Sequence, residues 1–285
     1  MIEIPEAFVL ANQIDESLSG KIVDGVEVPA NPGKFSFYLG DPLEYERLLI
    51  GSNFSSARAI GGMVEISIDK RRLVFSDGAA PRFYEKNETP QPKSQLTVRF
   101  GDGSFLSVCV RLYAGLWCFE EGDFDNKYYL AAQEKPSPLS DNFDENYFSK
   151  LFNFEKADSR SLKGFLATEQ RIPGLGNGVL QDIAWTAGLH PRIKISKFSD
   201  ADKERLFSSI KTVLRDMTEN CGRDSEKDLF GIEGKYKTVI GRATFGKPCP
   251  RCGETIERQN YLGGKVYFCP SCQRLERNAL TLQLF

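Results

Sequence analysis

The sequence predicts an α+β protein of more than one domain: a β-sandwich led by a helix, then a helical domain with a helix-two-turns-helix motif that ends in a zinc-ribbon finger. Three observations carry this expectation. The 285 residues exceed the usual single-domain length. The hydrophobic period changes from about two to about 3.6 after a proline-containing stretch at 134–142. Four of the seven cysteines crowd into the last 40 positions as two C-x2-C pairs.

Ala7, Val9, Leu10 and Ile14 have helical spacing, and Gly20 sets the end of that first helix. Alternating or aromatic-rich runs then follow at Lys34 to Tyr38, Met63 to Ile68, Gln95 to Phe100 and Phe105 to Leu112, with Asp77-Gly78 and Asp102-Gly103 read as turns between strands. Residues 1–133 are therefore expected to form the sandwich domain. Glu134 to Asn142 holds Pro136 and Pro138 among polar residues and a single leucine, the composition of a linker. Beyond it Phe148, Leu151 and Phe152, then Leu162, Phe165 and Leu166, then Leu180, Ile183 and Ala184, then Leu206, Ile210 and Leu214 mark helices, so 143–243 is expected to be helical. Residues 244–285 are expected to form the finger and a tail.

Hydrophobic residues at 41% and charged residues at 27% exclude a disordered chain, and no run approaches the about 18 apolar residues of a membrane span. Glu3, Pro5 and Glu6 do not resemble a secretory leader, so a cytoplasmic, reducing setting without membrane contact is expected. The net charge of -2 hides an asymmetry: 15 basic against 23 acidic residues in 1–150, and 22 against 16 in 151–285. An anionic partner would prefer the second half.

Cys249-Pro250-Arg251-Cys252 and Cys269-Pro270-Ser271-Cys272 have the spacing of a four-thiolate structural zinc site. Four protein ligands leave no open position, so one structural Zn2+ per chain is expected rather than a catalytic one; the alternative is a pair of redox-active C-x-x-C motifs. Between the pairs, Glu254-Thr255-Ile256 and Tyr261 to Phe268 read as two strands turning near Leu262-Gly263-Gly264, with Lys265 at the turn. Such a cation-tipped hairpin suits a DNA groove or phosphate, although many ribbons serve protein contacts or stability.

Gln170-Arg171-Ile172-Pro173-Gly174-Leu175-Gly176-Asn177-Gly178 lies between two amphipathic segments, and Ala187-Gly188-Leu189-His190-Pro191 closes the stretch. A glycine-rich turn that opens a helix at Gly176 and Asn177 offers N–H groups to a phosphate; taken in isolation it reads rather as an ordinary Asn-capped helix hairpin.

The stretch Gln170 to Pro191, followed by Asp228-Leu229-Phe230-Gly231, Val239-Ile240-Gly241-Arg242, Gly246-Lys247-Pro248 and the four cysteines, resembles the C-terminal half of the formamidopyrimidine-DNA glycosylase / endonuclease VIII family in order and spacing. Met1-Ile2-Glu3-Ile4-Pro5-Glu6 resembles the family's amino-terminal signature. The resemblance spans essentially the whole chain, most specifically 166–273 and faintly 20–130. It implies a DNA-binding cleft between the two domains, flipping of an oxidised base, attack of an amino-terminal nitrogen on C1′ to give a Schiff base, and strand cleavage by elimination. It further implies that Glu3 acts on the sugar ring oxygen, that Glu6 is the second acid and that Asn177 contacts phosphate. Asp182 stands where a helix glutamate is usual, and His190 lies in a family-typical turn and is read as structural. Arg111 and Tyr113 align with residues that fill the hole left by a flipped base; for Tyr113 the alternative is packing in the sandwich core. The family's finger arginine falls on Gly264, leaving Lys265 as its substitute.

The departures concern chemistry. Ile2 stands where the family presents a proline nucleophile, and a bulky second residue predicts retention of Met1, whose amine then lies one residue, about 3.5 Å, beyond its family position. The family's turn lysine has no counterpart at Gly61-Gly62-Met63-Val64; Lys70, Arg71 and Arg72 nearby are either a solvated turn or phosphate contacts. Three functions remain open. The first is a glycosylase and abasic-site lyase using the Met1 amine, or a water activated by Glu3, on duplex DNA. The second is a non-catalytic paralogue that binds damaged, branched or single-stranded DNA, and the third a zinc-stabilised interaction module. A nucleoid-associated monomer is expected.

Overall fold

The computed structural model describes residues 1–153 and 159–276; the tail expected over 277–285 lies outside them. The chain divides into two compact units, Met1–Lys135 with Met217–Tyr236, and Pro136–Asp216 with Lys237–Phe285.

In the first unit α1 (Ile4–Leu18) begins with Pro5 in its first turn and Glu3 at its N-cap. The Glu3 side chain accepts from the Glu6 amide while the Glu6 carboxylate accepts from the Glu3 amide at 3.2 Å, a reciprocal cap that leaves neither donor orphaned. Ala7, Leu10, Ala11, Ile14 and Leu18 form its buried stripe.

Nine strands make two sheets. One has the order β1-β7-β8-β6, from β1 (Val23–Glu27), β6 (Ala79–Tyr84), β7 (Leu96–Phe100) and β8 (Phe105–Val110). The other has the order β2-β9-β5-β4-β3, from β2 (Ser36–Tyr38), β3 (Phe54–Ile60), β4 (Met63–Ile68), β5 (Arg71–Ser76) and β9 (Ala114–Glu120). Val98, Phe100, Leu106 and Val108 of the first sheet share one core with Val64, Ile66, Leu73, Phe75 and Leu116 of the second and with α1. This is the expected sandwich. Short α2 (Glu44–Leu49) and α3 (Lys127–Glu134) complete the elements before the unit boundary.

The strands at Lys34, Gln95 and Phe105 are each one to two residues shorter than expected, because their ends join turns. Leu112 and Tyr113 fall in the β8–β9 loop, 62% and 45% exposed, so Tyr113 is not a core aromatic. Asp102-Gly103 is a hairpin turn, with the Asp102 carboxylate accepting from the Ser104 amide at 2.9 Å. Asp77-Gly78 is not: it carries the chain from β5 in one sheet to β6 in the other. Lys70 follows Asp69 in the β4–β5 turn, while Arg71 and Arg72 face Glu120 and Glu121 at 3.8 and 2.6 Å.

Residues 217–236, expected with the helical domain, are grouped in the first unit. The Leu229 amide donates to the Gln13 side chain at 2.9 Å and Leu229 is fully buried in the sandwich core. The Cys221 and Gly222 backbones at φ 57° and 90° reverse the chain after the last helix, and Gly222 then meets Gly234 so closely that a Cβ on Gly234 would lie 2.2 Å from the Gly222 carbonyl oxygen.

The second unit holds α4 (Glu145–Lys150), α5 (Leu162–Ala167), α6 (Asn177–Thr186) and most of α7 (Asp200–Glu219). Asp144 and Ser161 cap α4 and α5, accepting from the Tyr147 and Gly164 amides. Phe143, Phe148, Phe165, Leu180, Ile183, Leu206, Ile210 and Leu214 are buried. β10 (Glu257–Tyr261) and β11 (Gly264–Phe268) form the finger hairpin, turning at Leu262-Gly263. The first finger strand therefore begins three residues later than expected; Thr255 only bridges Pro248.

Gly234→Ala is expected to lower stability by about 1–3 kcal/mol, because a backbone carbonyl rather than a flexible side chain must give way. Chemical denaturation beside the parent checks this.

Candidate functional site

The amino terminus of the first unit is a charge cluster. Ile2 is 6% exposed and its peptide N–H donates to the Asp77 carbonyl at 2.6 Å, so the crossover at Asp77-Gly78 fixes the chain just before α1. Glu3 and Glu6 are buried at 5% and 6% exposure. Both face Arg223, a residue for which the sequence offered no motif: its Nε and Nη2 donate to the two Glu6 oxygens at 2.9 and 2.7 Å, and Nη1 lies 3.7 Å from Glu3. The Arg223 amide also donates to Glu6 at 3.3 Å. Burial by itself would lower the Arg223 pKa, but Glu3 and Glu6 hold it well above its ordinary value.

The Met1 amino group lies 2.8 Å from Glu226, and Arg111 lies 3.6 Å from the other oxygen of that carboxylate. Glu226 likewise went unread in the sequence. The amine is a primary amine, whereas the nitrogen of Ile2 is an amide without a basic lone pair. The Tyr113 carbonyl accepts from the Gly78 amide at 2.9 Å and the Arg111 amide donates to the Gly78 carbonyl at 2.9 Å, which brings the β8–β9 loop onto the same crossover. Met1, Ile2, Glu3, Glu6, Arg111 and Tyr113 are thus brought to one region.

In the second unit Gly176 is the N-cap of α6 and Asn177 its first residue. The Asn177 Nδ2 donates to the Lys265 carbonyl at 3.0 Å, so one of its two N–H donors is engaged with the finger, while Oδ1 has no partner. The Gln181 Nε2 donates to the same carbonyl at 3.3 Å and its Oε1 accepts from the Tyr267 amide at 3.1 Å. Asp182, fully buried, accepts from the Val239 and Ile240 amides at 3.0 and 2.6 Å. The Lys265 side chain, paired in register with Asn260 one residue from the turn, is exposed. His190 is 3% exposed, accepts from the Arg192 amide at 3.1 Å and packs on Phe268; burial, then Arg192, lowers its pKa to about 4, which keeps it a neutral structural acceptor.

The thiols of Cys249, Cys252, Cys269 and Cys272 lie within 4.8 Å of one another, with Cys249–Cys272 at 3.9 Å and Cys252–Cys269 at 3.4 Å. A tetrahedral zinc with bonds of about 2.3 Å needs sulfur separations of about 3.8 Å, so the set fits the ion. The Trp185 indole N–H donates to the Cys249 sulfur at 3.4 Å, and the Arg251 guanidinium stacks 4.1 Å from the Trp185 ring. Burial would raise the Cys249 thiol, yet hydrogen bonds from the Arg251 amide, Trp185 and the Cys252 amide bring it down to about 6.

Residues 246–275 match the family described as "Zinc finger found in FPG and IleRS". Over its length the chain is 26% identical to a formamidopyrimidine-DNA glycosylase of Legionella pneumophila, covering 96% of this chain and 98% of the relative, and 29% identical to one of Prochlorococcus marinus, covering 96% and 100%. The fold matches the Lactococcus lactis Fpg in complex with DNA containing an abasic site, with a TM-score of 0.82 at 22% identity over 95% of this chain and 99% of that one. It also matches the MutM (Fpg) protein from Thermus thermophilus at a TM-score of 0.79 and 21% identity, covering 96% and 100%. The helix-led sandwich and the helical unit with its four-cysteine finger define an Fpg-type fold. The chain belongs to the formamidopyrimidine-DNA glycosylase family.

Chelation of the metal is expected to melt the finger, because metal binding is most of its folding free energy; loss of structure over 244–276 by hydrogen exchange on adding chelator checks this. Arg223→Ala should cost about 3–5 kcal/mol in chemical denaturation, since it leaves two buried carboxylates without their cation.

Proposed function

We propose that the chain is a base-excision-repair protein that binds duplex DNA carrying a damaged or abasic site and acts as a DNA glycosylase and abasic-site lyase, with the Met1 amine as nucleophile. The observation that carries this is the Met1 amino group 2.8 Å from Glu226, in the cluster that also holds Glu3 and Glu6. Glu226 is assigned the acceptance of a proton from the ammonium group, which leaves a neutral amine free to attack. The amine nitrogen bonds to C1′ of the opened sugar, water leaves with the C1′ oxygen, and an imine results. Abstraction of a C2′ proton then expels the 3′ phosphate and cleaves the strand. Glu3 is assigned the relay of a proton from the C1′ hydroxyl to the ring oxygen as the C1′–O4′ bond of the abasic sugar opens, which leaves Glu3 ionised beside Arg223 before and after, and Glu6 the anchoring of α1 and of the turn at Arg223.

Asn177, Gly176 and Lys265 of the second unit, and Arg111 and Tyr113 of the first, are the proposed DNA contacts. One zinc per chain, held by the four cysteines, stabilises the hairpin that presents Lys265 and takes no part in the reaction. The protein acts as a monomer at the nucleoid. Among the described residues no helix is long and apolar enough to cross a membrane.

A second reading, non-catalytic binding of damaged DNA, is favoured by one observation: Arg223 already neutralises both Glu3 and Glu6. Borohydride reduction in the presence of an abasic duplex separates the two. A covalent adduct is expected, slowed at least about tenfold by Glu226→Gln and by Glu3→Gln, and Lys265→Ala should weaken binding of the same duplex without changing the fold. Binding without any adduct would establish the non-catalytic reading, and absence of binding at low salt would leave the interaction module.

A further inference from the structure

Arg82 is a buried arginine without an acid. It stands on β6 at 7% exposure, and no carboxylate oxygen among the described residues comes within the 4.0 Å of an ion pair. Its Nη1 donates to the carbonyl of its neighbour Pro81 at 2.5 Å. Asp228, the acid whose charge it feels, has its oxygens engaged by the Gln13 side chain and by the Phe230 and Ile232 amides at 2.8–3.0 Å. Removing a cation from water without a counter-ion costs several kcal/mol, so a guanidinium left in this state is one that a ligand would complete.

Arg82 helps to line an open depression whose other cationic walls are Arg111, Lys227 and the Met1 end of the chain. Its two acids are already occupied. Glu6 is held by Arg223, and Glu226 is shared by the Met1 amine and Arg111. Lys227 is exposed, and no acid lies within ion-pair distance of it among the described residues. Ile2, Leu10, Gly78, Ala79, Ala80 and Pro81 complete the lining, so no further charged side chain competes for an anion there. Burial, followed by repulsion from Arg111, lowers the Arg82 pKa.

We infer that Arg82, with Arg111 and Lys227, forms a seat for a phosphate group, and that the phosphate it takes is one of the DNA backbone. The source of the phosphate rests on the DNA-binding function proposed above; the seat itself does not. A planar guanidinium meets two phosphate oxygens at once, which a lysine cannot do. An anion there also draws Arg111 away from Glu226, leaving that carboxylate to the Met1 amine, so filling the seat and readying the amine are linked through one side chain.

The test compares the full chain with its Arg82→Met, Arg82→Lys and Lys227→Gln variants, in two arms. In the first, inorganic phosphate is titrated against chloride at constant ionic strength and the melting temperature is followed. Phosphate is expected to raise the melting temperature of the parent saturably, to leave Arg82→Met unchanged, and to act more weakly on Arg82→Lys and Lys227→Gln. The last of these alters an exposed residue and keeps the test decisive if the Arg82 variants fail to fold. In the second arm, affinity for an abasic duplex is measured against salt, and the slope of log Kd is expected to fall by about 1 in Arg82→Met. A parent that phosphate does not stabilise, or an Arg82→Met or Lys227→Gln variant that responds as the parent does, overturns the seat. A phosphate response lost in Arg82→Met with an unchanged DNA slope overturns the DNA backbone as its source. A parent that binds phosphate at Arg82 but no DNA refutes the DNA-binding function and leaves the seat standing.

Discussion

Two ionised carboxylates are buried side by side only where a positive charge compensates them, and Arg223 supplies that cation to Glu3 and Glu6. Much of the first unit depends on this arrangement. Glu3 and Glu6 form the reciprocal cap that starts α1, so the same two side chains that need a counter-ion also define where the helix begins. The Ile2 amide, one residue earlier, is tied to the Asp77 carbonyl, and that carbonyl belongs to the crossover between the two sheets. The Gly222-Gly234 contact presents Arg223 from a segment more than 200 residues away. Helix start, sheet crossover and late segment are therefore one packed unit.

The second unit has an analogous centre in α6. Gln181 and Asn177 are bonded to the Lys265 carbonyl of β11, Asp182 holds the Val239 and Ile240 amides, and Trp185 reaches the Cys249 sulfur. One helix thus supports the finger hairpin on two turns and one of its metal ligands on a third. The finger is too small to bury a core of its own, so the metal and the α6 contacts together replace what a larger domain would obtain from apolar burial.

The chemistry proposed for the amino terminus follows from a single difference between two nitrogens. A secondary amine at position 2 would be a nucleophile, but in this chain that nitrogen belongs to a peptide whose lone pair is delocalised and whose N–H is already bonded. Basicity moves one residue outward to Met1, where Glu226 is in place to hold or accept the proton. Arg111, expected from its alignment to face DNA, shares that carboxylate. In the proposed chemistry the amine and the Arg111 guanidinium thus share one carboxylate.

The four cysteines, the glycine turn before Asn177, the leading helix and the alternating strands were legible in the sequence because each depends on residues close together in the chain: ligand spacing, a cap, a period of 3.6 or of two. The same locality limits what the sequence could tell. Asp77-Gly78 has turn chemistry, but whether a turn closes a hairpin or crosses between sheets depends on which strands pair, and β6 pairs with β8 rather than with β5. Tyr113 carries no local mark that places it in a loop instead of the core. Arg223, Glu226 and Arg82 sit in no motif; their significance arises from which charges lie beside them, and those come from Glu3, Glu6, Met1 and Arg111. By itself, then, the sequence determined the element types, the metal ligands and the family pattern, all set by short-range geometry. Only the tertiary structure decided which charges are buried together, because Coulomb and desolvation energies depend on distance through space and on exclusion of water, and neither is a function of position along the chain.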